Sequence, residues 1–146
     1  MTFSDTVNPN SPENLTPTQK FFFGSKMLVT GGTGFIGHVL LEKLLTACPN
    51  ISKIYLIIRR KKDTDIEVRL DRMLEDVVFS KLRVQCPDFR DKIVAVEGDM
   101  QLPDLGLNPS DRLLLRNEMP NEHENVFTFF PCTLPASNSD PQHTGL

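Results

Sequence analysis

The stretch that decides the fold follows a short apolar segment and reads Thr30-Gly31-Gly32-Thr33-Gly34-Phe35-Ile36-Gly37. The segment before it, residues 26–30, is apolar and ends at the glycines, which is typical of a buried parallel strand. After it, apolar residues recur at steps of three and four and predict one helical face, formed by Ile36, Val39, Leu40, Leu44 and Ala47. The glycine-rich stretch is therefore predicted to join a strand to a helix.

Three of these glycines, Gly31, Gly34 and Gly37, are spaced three residues apart. In a dinucleotide site the first permits a tight turn, the second lets the backbone approach a pyrophosphate, and the third lets the helix lie close to the strand. The phosphates then lie on the free N–H groups and the positive dipole end of the helix. A tight turn without a ligand is the alternative, but a strand before and a helix after the glycines favour a nucleotide site. The candidate cofactor contacts are Thr30, Gly31, Gly32, Thr33, Gly34, Phe35, Ile36 and Gly37.

The end of the second predicted strand should select the cofactor, because the selecting residue lies about 20 positions after the glycines. The second apolar run, residues 54–58, ends in Arg59 and Arg60, where an NAD site would carry Asp or Glu. A guanidinium suits a 2′-phosphate through bidentate charged hydrogen bonds. The sequence therefore predicts NADP(H), with Arg59 as the first candidate and Arg60 as the second. A solvated basic turn is the alternative, and we interpret Lys61 and Lys62 in that way.

A third strand is predicted at residues 92–97, and Gly98, Asp99 and Met100 follow it. This order puts them at the carboxyl end of the sheet, beside the same crevice. The Asp99 carboxylate there could accept a hydrogen bond from the adenine amino group, and Met100 is included in the candidate site. A turn-forming Gly-Asp pair is the alternative.

The remaining elements alternate with these strands. Apolar periodicity predicts a second helix over residues 66–78, and Asn108-Pro109 predicts the start of a third, with Asn as N-cap and Pro at the first helical position. A fourth strand is indicated at residues 125–130. Strands that alternate with helices predict an α/β fold, here a Rossmann-type doubly wound parallel sheet truncated after three or four strands.

Three segments are expected along the chain: a flexible leader over residues 1–24, an incomplete NADP-binding domain over 25–130, and a disordered tail over 131–146. Both outer segments are rich in Pro, Ser, Asn and Thr. Such a composition buries too little apolar surface to offset the entropy lost on ordering. An open edge strand in a short sheet also predicts marginal stability.

Composition excludes several function classes. The chain has 146 residues, 39% of them hydrophobic, and a net charge of -3, which argues against nucleic acid as a partner. No apolar run reaches the ~20 residues that span a bilayer, so no membrane segment is predicted. The 3 cysteines and 3 histidines are scattered, which argues against a disulfide framework or a metal site and favours a cytoplasmic location.

The glycine-rich stretch resembles the cofactor loop of extended short-chain dehydrogenase/reductases, and a longer series of motifs resembles the fatty acyl-coenzyme A reductases. These motifs lie between residues 26 and 117, at 53–59, 69–70 with 79–82, 87–89, 96–99 and 105–107. The resemblance implies the N-terminal cofactor-binding part of a reductase that converts a long-chain fatty acyl-CoA to a primary alcohol with NADPH. It also implies fatty acyl-CoA as a partner; members of the family often associate with endoplasmic reticulum or peroxisome membranes.

The resemblance stops after the third helix. The family's fourth strand leads into a His-Ser-Ala-Ala-like loop, whereas residues 126–134 read VFTFFPCTL. The family's catalytic Tyr-x-x-x-Lys has no counterpart, because the one tyrosine, Tyr55, lies in a predicted strand and position 59 is Arg. We therefore identify no catalytic residue and expect the chain alone to be inactive. The alternatives are a noncatalytic nucleotide-binding module and another extended reductase or epimerase, although the basic end of the second strand argues against the usual NAD-binding epimerase pattern.

Overall fold

The structure is a computed structural model that describes residues 11–119 and 126–128. Its helices and strands follow in the order α1 (Pro17–Phe22), β1 (Lys26–Thr30), α2 (Phe35–Ala47), β2 (Lys53–Ile58), α3 (Ile66–Leu74), α4 (Ser80–Gln85), β3 (Ile93–Glu97), α5 (Pro109–Glu118) and β4 (Val126–Thr128). Short 3-10 turns lie between them at Pro12–Asn14, Val77–Phe79, Pro87–Lys92 and Pro103–Gly106.

The four strands form one parallel sheet in the order β3-β2-β1-β4. Val29 of β1 lies opposite Leu56 of β2 on one side and opposite Phe127 of β4 on the other. The chain therefore first builds outward from β1 through β2 to β3 and then returns to the opposite side of β1. This order is that of a doubly wound half-domain, and it confirms the predicted Rossmann-type fold, here with four strands. The reversal puts a crevice between β1 and β4 at the carboxyl ends of the strands.

Helices cover both faces of the sheet, so side chains on both sides of β1 and β2 are buried. The larger core joins one face to the three helices α2, α3 and α4 through Met27, Val29, Leu41, Leu45, Ile54, Leu56, Ile58, Leu70 and Leu82. The smaller core joins the other face to α5 through Leu28, Tyr55, Ile57, Val96 and Leu115. Burial on both faces explains why residues 54–58 are apolar without alternation.

The predicted inner face of α2 is partly wrong. Ile36 and Val39 are exposed, whereas the buried positions are Gly37, Leu41, Leu44 and Leu45. These four residues are spaced at helical intervals, but on a face rotated from the predicted one. The rotation follows from Gly37, whose missing side chain allows that side of the helix to contact the loop backbone.

The second predicted helix ends earlier than its periodicity indicates, since α3 stops at Leu74. The Asp76 carboxylate accepts a hydrogen bond from the Val78 backbone N–H at 2.9 Å and begins a separate 3-10 turn. Val77, one of the apolar residues whose spacing predicts the longer helix, is consequently 78% exposed. An aspartate that caps the next turn competes with continuation of the helix, and this local hydrogen bond is the physical reason for the difference.

The N-terminal segment also differs from the flexible leader that was expected over residues 1–24. Thr16 and Gln19 form a capping box at the start of α1, and the Gln19 side-chain amide donates to the Ala47 carbonyl at 2.9 Å. Phe22 packs against the larger core. A short helix with a cap and a tertiary anchor is favoured over irregular backbone in spite of the polar composition. Residues 1–10 lie outside the described part of the chain.

The later elements follow the sequence more closely. The Asn108 side chain accepts the Asp111 backbone N–H at 2.8 Å, as expected for the N-cap of α5. The fourth strand indicated at residues 125–130 is present as β4, over Val126–Thr128. The predicted tail at 131–146 lies outside the described residues.

Candidate nucleotide-binding site

The glycine loop begins directly at the end of β1, and its first turn depends on Gly31. That residue has a φ of 71°, a conformation that side-chain-bearing residues rarely adopt. The Gly34 backbone N–H donates to the Gly31 carbonyl at 3.2 Å and closes the turn, and α2 begins at Phe35 with Gly34 as its N-cap. The turn expected from the glycine spacing is therefore present.

Two glycines of the loop are required by close packing. A Cβ on Gly37 would overlap the Cα of Gly32 and lie 2.6 Å from the Gly31 carbonyl oxygen, so the helix contacts the loop backbone directly. A Cβ on Gly32 would overlap the Leu56 side chain of β2. The glycine spacing did not predict this packing role of Gly32. The one indication of it in the sequence is that two glycines follow the strand in succession.

Gly34, in contrast, is open. A Cβ added there would meet Gly31 O at 3.5 Å as its nearest neighbour, an ordinary contact, and no side-chain hydrogen bond caps the helix at this residue. The first N–H groups of α2 therefore lack a side-chain acceptor. The Thr30 hydroxyl, at the start of the loop, is buried without a hydrogen-bond partner in the described part of the chain. Open space beside uncapped N–H donors fits the phosphates of a dinucleotide.

The other candidate residues of the loop are exposed. Thr33, Phe35 and Ile36 all face solvent, with Phe35 73% exposed. A ligand that lies along the loop can therefore reach them. Their contact with a cofactor stays a prediction.

Two arginines follow β2, and each faces a different carboxylate. The Arg59 Nε lies 3.8 Å from the Asp99 Oδ2, and the Arg60 guanidinium lies 3.4 Å from the Glu97 Oε2. Both arginine side chains are mostly exposed, at 65% and 69%. Arg69 of α3 donates a hydrogen bond to the Arg59 carbonyl and ties the start of this turn to the helix. Neither guanidinium is sequestered, so either can reach a ligand at this end of the sheet.

Asp99 lies in a tightly specified turn after β3. Its Oδ1 accepts the Gln101 backbone N–H at 2.9 Å, and its own N–H donates to the Leu105 carbonyl at 2.7 Å. The turn-forming alternative for the Gly-Asp pair is thus present in the geometry, while Oδ2 faces Arg59. Met100 follows in the same turn and is half-buried.

The same turn contains a strained segment. Asp104, Leu105 and Gly106 have consecutive φ values of 51°, 59° and 60°. The left-handed region costs a residue with a side chain about 1–2 kcal/mol. This conformation aims the Leu105 carbonyl at Asp99, and it leaves no room for a side chain at Gly98, whose Cβ would lie 2.8 Å from that oxygen.

A second polar cluster lies at the opposite, amino end of the sheet. Glu118 accepts hydrogen bonds from Lys26 and, at 3.2 Å, from the Tyr55 hydroxyl. Burial, together with the Glu118 charge, raises the pKa of Tyr55. The hydrogen bond from Lys26 is the main cause that lowers the pKa of Glu118. Tyr55 is 4% exposed and lies within β2, so it is a core residue, as predicted.

The topology brings the candidate residues to one edge of the sheet. Residues 30–37 follow β1, Arg59 and Arg60 follow β2, and Asp99 and Met100 follow β3. All three strands are parallel, so their carboxyl ends meet at the same side. Across the described residues, no helix combines the length and the apolar character that crossing a bilayer requires.

Comparisons with known proteins agree with this arrangement. The mouse (Mus musculus) fatty acyl-CoA reductase 1 is 38% identical over 96 residues, which are 66% of this chain and 19% of the relative. The fatty acyl-CoA reductase wat of Drosophila melanogaster is 38% identical over 97 residues, again 66% of this chain and 19% of the relative. The chain thus spans about a fifth of the length of these relatives.

A solved structure supports the fold. The terminal R domain from the myxalamid PKS-NRPS biosynthetic pathway superposes with a TM-score of 0.53 and 25% identity, over 73% of this chain and 24% of that chain. A family model of NAD-binding domains, described as "Male sterility protein", matches residues 29–120, which include the glycine loop, both arginines and Asp99. The matched region is the nicotinamide-cofactor-binding part of an oxidoreductase family. The chain therefore belongs to the male sterility protein family, and the resemblance to fatty acyl-CoA reductases inferred from its motifs is confirmed.

Proposed function

We propose that this chain is the NADP(H)-binding N-terminal part of an alcohol-forming fatty acyl-CoA reductase. The observation that carries the proposal is the open, uncapped start of α2 at Gly34, which lies on the same sheet edge as two exposed arginines. Backbone donors and a helix dipole favour the pyrophosphate, and a guanidinium favours a 2′-phosphate. Together they form a site with two separate binding points for anions. NADP(H) carries a phosphate for each of them, whereas NAD(H) has only the pyrophosphate.

Each candidate residue then has a proposed role. Residues 30–37 hold the pyrophosphate, Arg59 holds the 2′-phosphate with Arg60 as its neighbour, and Asp99 with Met100 borders the adenine. The bound nicotinamide supplies the hydride. The protein's part is to orient the cofactor along the carboxyl end of the sheet.

The substrate follows from the relatives, which are named fatty acyl-CoA reductases. We propose a long-chain fatty acyl-CoA as the substrate of the longer protein and a fatty alcohol as its product. In the chain by itself we propose binding without turnover. Reduction needs a donor for the developing oxyanion and a proton source. The one tyrosine of the sequence, Tyr55, is buried within β2, and its hydroxyl donates to Glu118, so it is not placed to supply them.

A second candidate function is a noncatalytic nucleotide-binding module. The same burial of Tyr55 favours it, because the cofactor-binding residues are then present without a catalytic tyrosine. Both candidates need nucleotide binding, and they differ in whether the longer protein turns over acyl-CoA.

The test is calorimetric titration of the chain with NADPH, before and after the change Gly34→Val. The Cβ of a valine has only an ordinary contact at this position, and we expect its methyl groups to fill the space beside the helix N–H groups. We expect NADPH binding to fall below detection while a cooperative unfolding transition is retained. Ser52→Val, which adds the same side chain at an exposed position before β2, should bind NADPH as the wild type does.

Unchanged affinity in Gly34→Val would remove the site assignment. The same preparations, mixed with NADPH and palmitoyl-CoA, should form no fatty alcohol. Alcohol formation by the isolated chain would overturn the proposal that it binds without turnover.

A further inference from the structure

The geometry around Arg59 contains a competitor for the phosphate that this residue is proposed to bind. Its Nε edge faces the Asp99 carboxylate at 3.8 Å. A guanidinium offers bidentate contacts along its Nε edge or across its two terminal nitrogens. In this structure the Nε edge already faces an anion.

The side chains of Asp99 and Arg59 differ in how firmly the surrounding structure holds them. Asp99 is held by the hydrogen bonds that its Oδ1 and backbone N–H make with Gln101 and Leu105, and its side chain is only 23% exposed. Arg59 is a long side chain that is 65% exposed. The arrangement is therefore an anion held in its turn by hydrogen bonds beside an exposed cation.

We propose that Asp99 is a specificity-determining residue, whose carboxylate competes with the 2′-phosphate of NADP(H) for Arg59 and so limits the preference over NAD(H). The inference rests on the proposed function, because it requires a nucleotide at the glycine loop. A phosphate bound to this guanidinium lies within the Debye length of about 10 Å at 0.1 M salt from Asp99, so the two anions also repel each other. NAD(H) carries a hydroxyl at the same position and meets no such repulsion.

A positioning role for Asp99 predicts the opposite effect, since loss of its charge would then weaken NADP(H) binding. The distance favours competition, because 3.8 Å is longer than a hydrogen bond and an exposed pair of this kind orients a side chain weakly. The neighbouring pair of Arg60 and Glu97 is closer, at 3.4 Å, but its carboxylate is more exposed than that of Asp99. The Glu97 side chain is 42% exposed, and solvent therefore screens its charge more.

The test is the change Asp99→Asn, which keeps an oxygen acceptor for the Gln101 N–H and removes only the charge. Dissociation constants for NADP+ and NAD+ are measured by titration calorimetry at low and at high salt. Asp99 also borders the adenine in the proposed site, and any effect of the substitution there is common to both nucleotides. We therefore expect the affinity for NADP+ relative to that for NAD+ to rise roughly three- to tenfold at low salt, with a smaller rise at high salt. The rise should largely vanish when Arg59→Ala is also present.

Asp91→Asn is the matched control, because it removes the same charge before β3, at the opposite end of that strand. It should leave both dissociation constants as in the wild type. Asp99→Ser provides a second neutral variant that can also accept the Gln101 N–H, and the unfolding transition of each variant is recorded. An unchanged or lower ratio of NADP+ affinity to NAD+ affinity in folded Asp99→Asn, with a wild type that binds both nucleotides, overturns this inference and leaves the proposed function standing. A wild-type chain that binds neither nucleotide overturns both.

Discussion

Charged residues lie at both ends of the parallel sheet, but they are closely paired at one end and largely exposed at the other. At the amino end, Lys26, Tyr55 and Glu118 satisfy one another, and the helix that supplies Glu118 covers the sheet. At the carboxyl end, Arg59 and Arg60 are mostly exposed and loosely paired, and the start of α2 is uncapped. The fold therefore uses its charges at the amino end to hold α5 in place and leaves those at the carboxyl end able to meet a ligand.

The glycine loop contributes both to packing, through Gly37, and to the proposed ligand site, through Gly34. The largest expected effect on stability distinguishes these two glycines. Gly37→Ala should destabilise the protein by about 3 kcal/mol, because the new Cβ meets backbone atoms that no rotamer change can move. The measurement is the free energy of unfolding in urea. Gly34→Ala, in the same loop but with no close neighbour, should cost less than about 1 kcal/mol. Equal losses at both positions would contradict the assignment of Gly37 to packing and Gly34 to binding.

The next effect concerns the carboxyl end of the sheet alone. Arg59→Ala should lose most of the discrimination between NADPH and NADH, because a hydrogen bond to a charged group contributes about 1.5–3 kcal/mol. Titration with both nucleotides measures the ratio of their affinities. Arg116→Ala removes the same charge from an exposed position in α5 and should leave the ratio unchanged. If Arg59→Ala weakens both nucleotides equally, the 2′-phosphate role passes to Arg60.

The smallest effect concerns the amino end of the sheet. The pKa of Glu118 is below its ordinary value of 4.5, chiefly because Lys26 donates a hydrogen bond to it, so its ionised form is stabilised by folding. That contribution is present above the ordinary value and is lost as pH falls through the lowered pKa. Glu118→Gln should therefore flatten the acid limb of the curve of melting temperature against pH, recorded between about pH 3 and 7.

Glu75→Gln provides the comparison for this change, because it alters an exposed glutamate just after α3. It should leave the acid limb as in the wild type. An unaltered acid limb in Glu118→Gln would show that the ionised Glu118 at the amino end of the sheet does not contribute to stability as proposed.

Local rules predicted much of the fold. The strands at residues 26–30 and 54–58, the Asn108 cap and the alternation of elements all follow from short-range chemistry, and each is present. The errors have two sources. The early end of α3 follows from the local hydrogen bond that Asp76 accepts, whereas the other two follow from contacts that lie outside the helix concerned. Gln19 reaches Ala47 and stabilises α1, and the loop contact of Gly37 turns α2 so that Ile36 is exposed.

The sequence by itself determined the order of strands and helices, the glycine turn and the presence of basic residues after β2. These depend on residue type and spacing within a few positions. Only the tertiary structure decided which carboxylate faces which arginine and which face of α2 is buried. Both depend on contacts between elements rather than on the residue pattern within one element. The carboxylates on β3 and its turn meet the arginines after β2 because the two strands pair in one register, and no local pattern specifies that register.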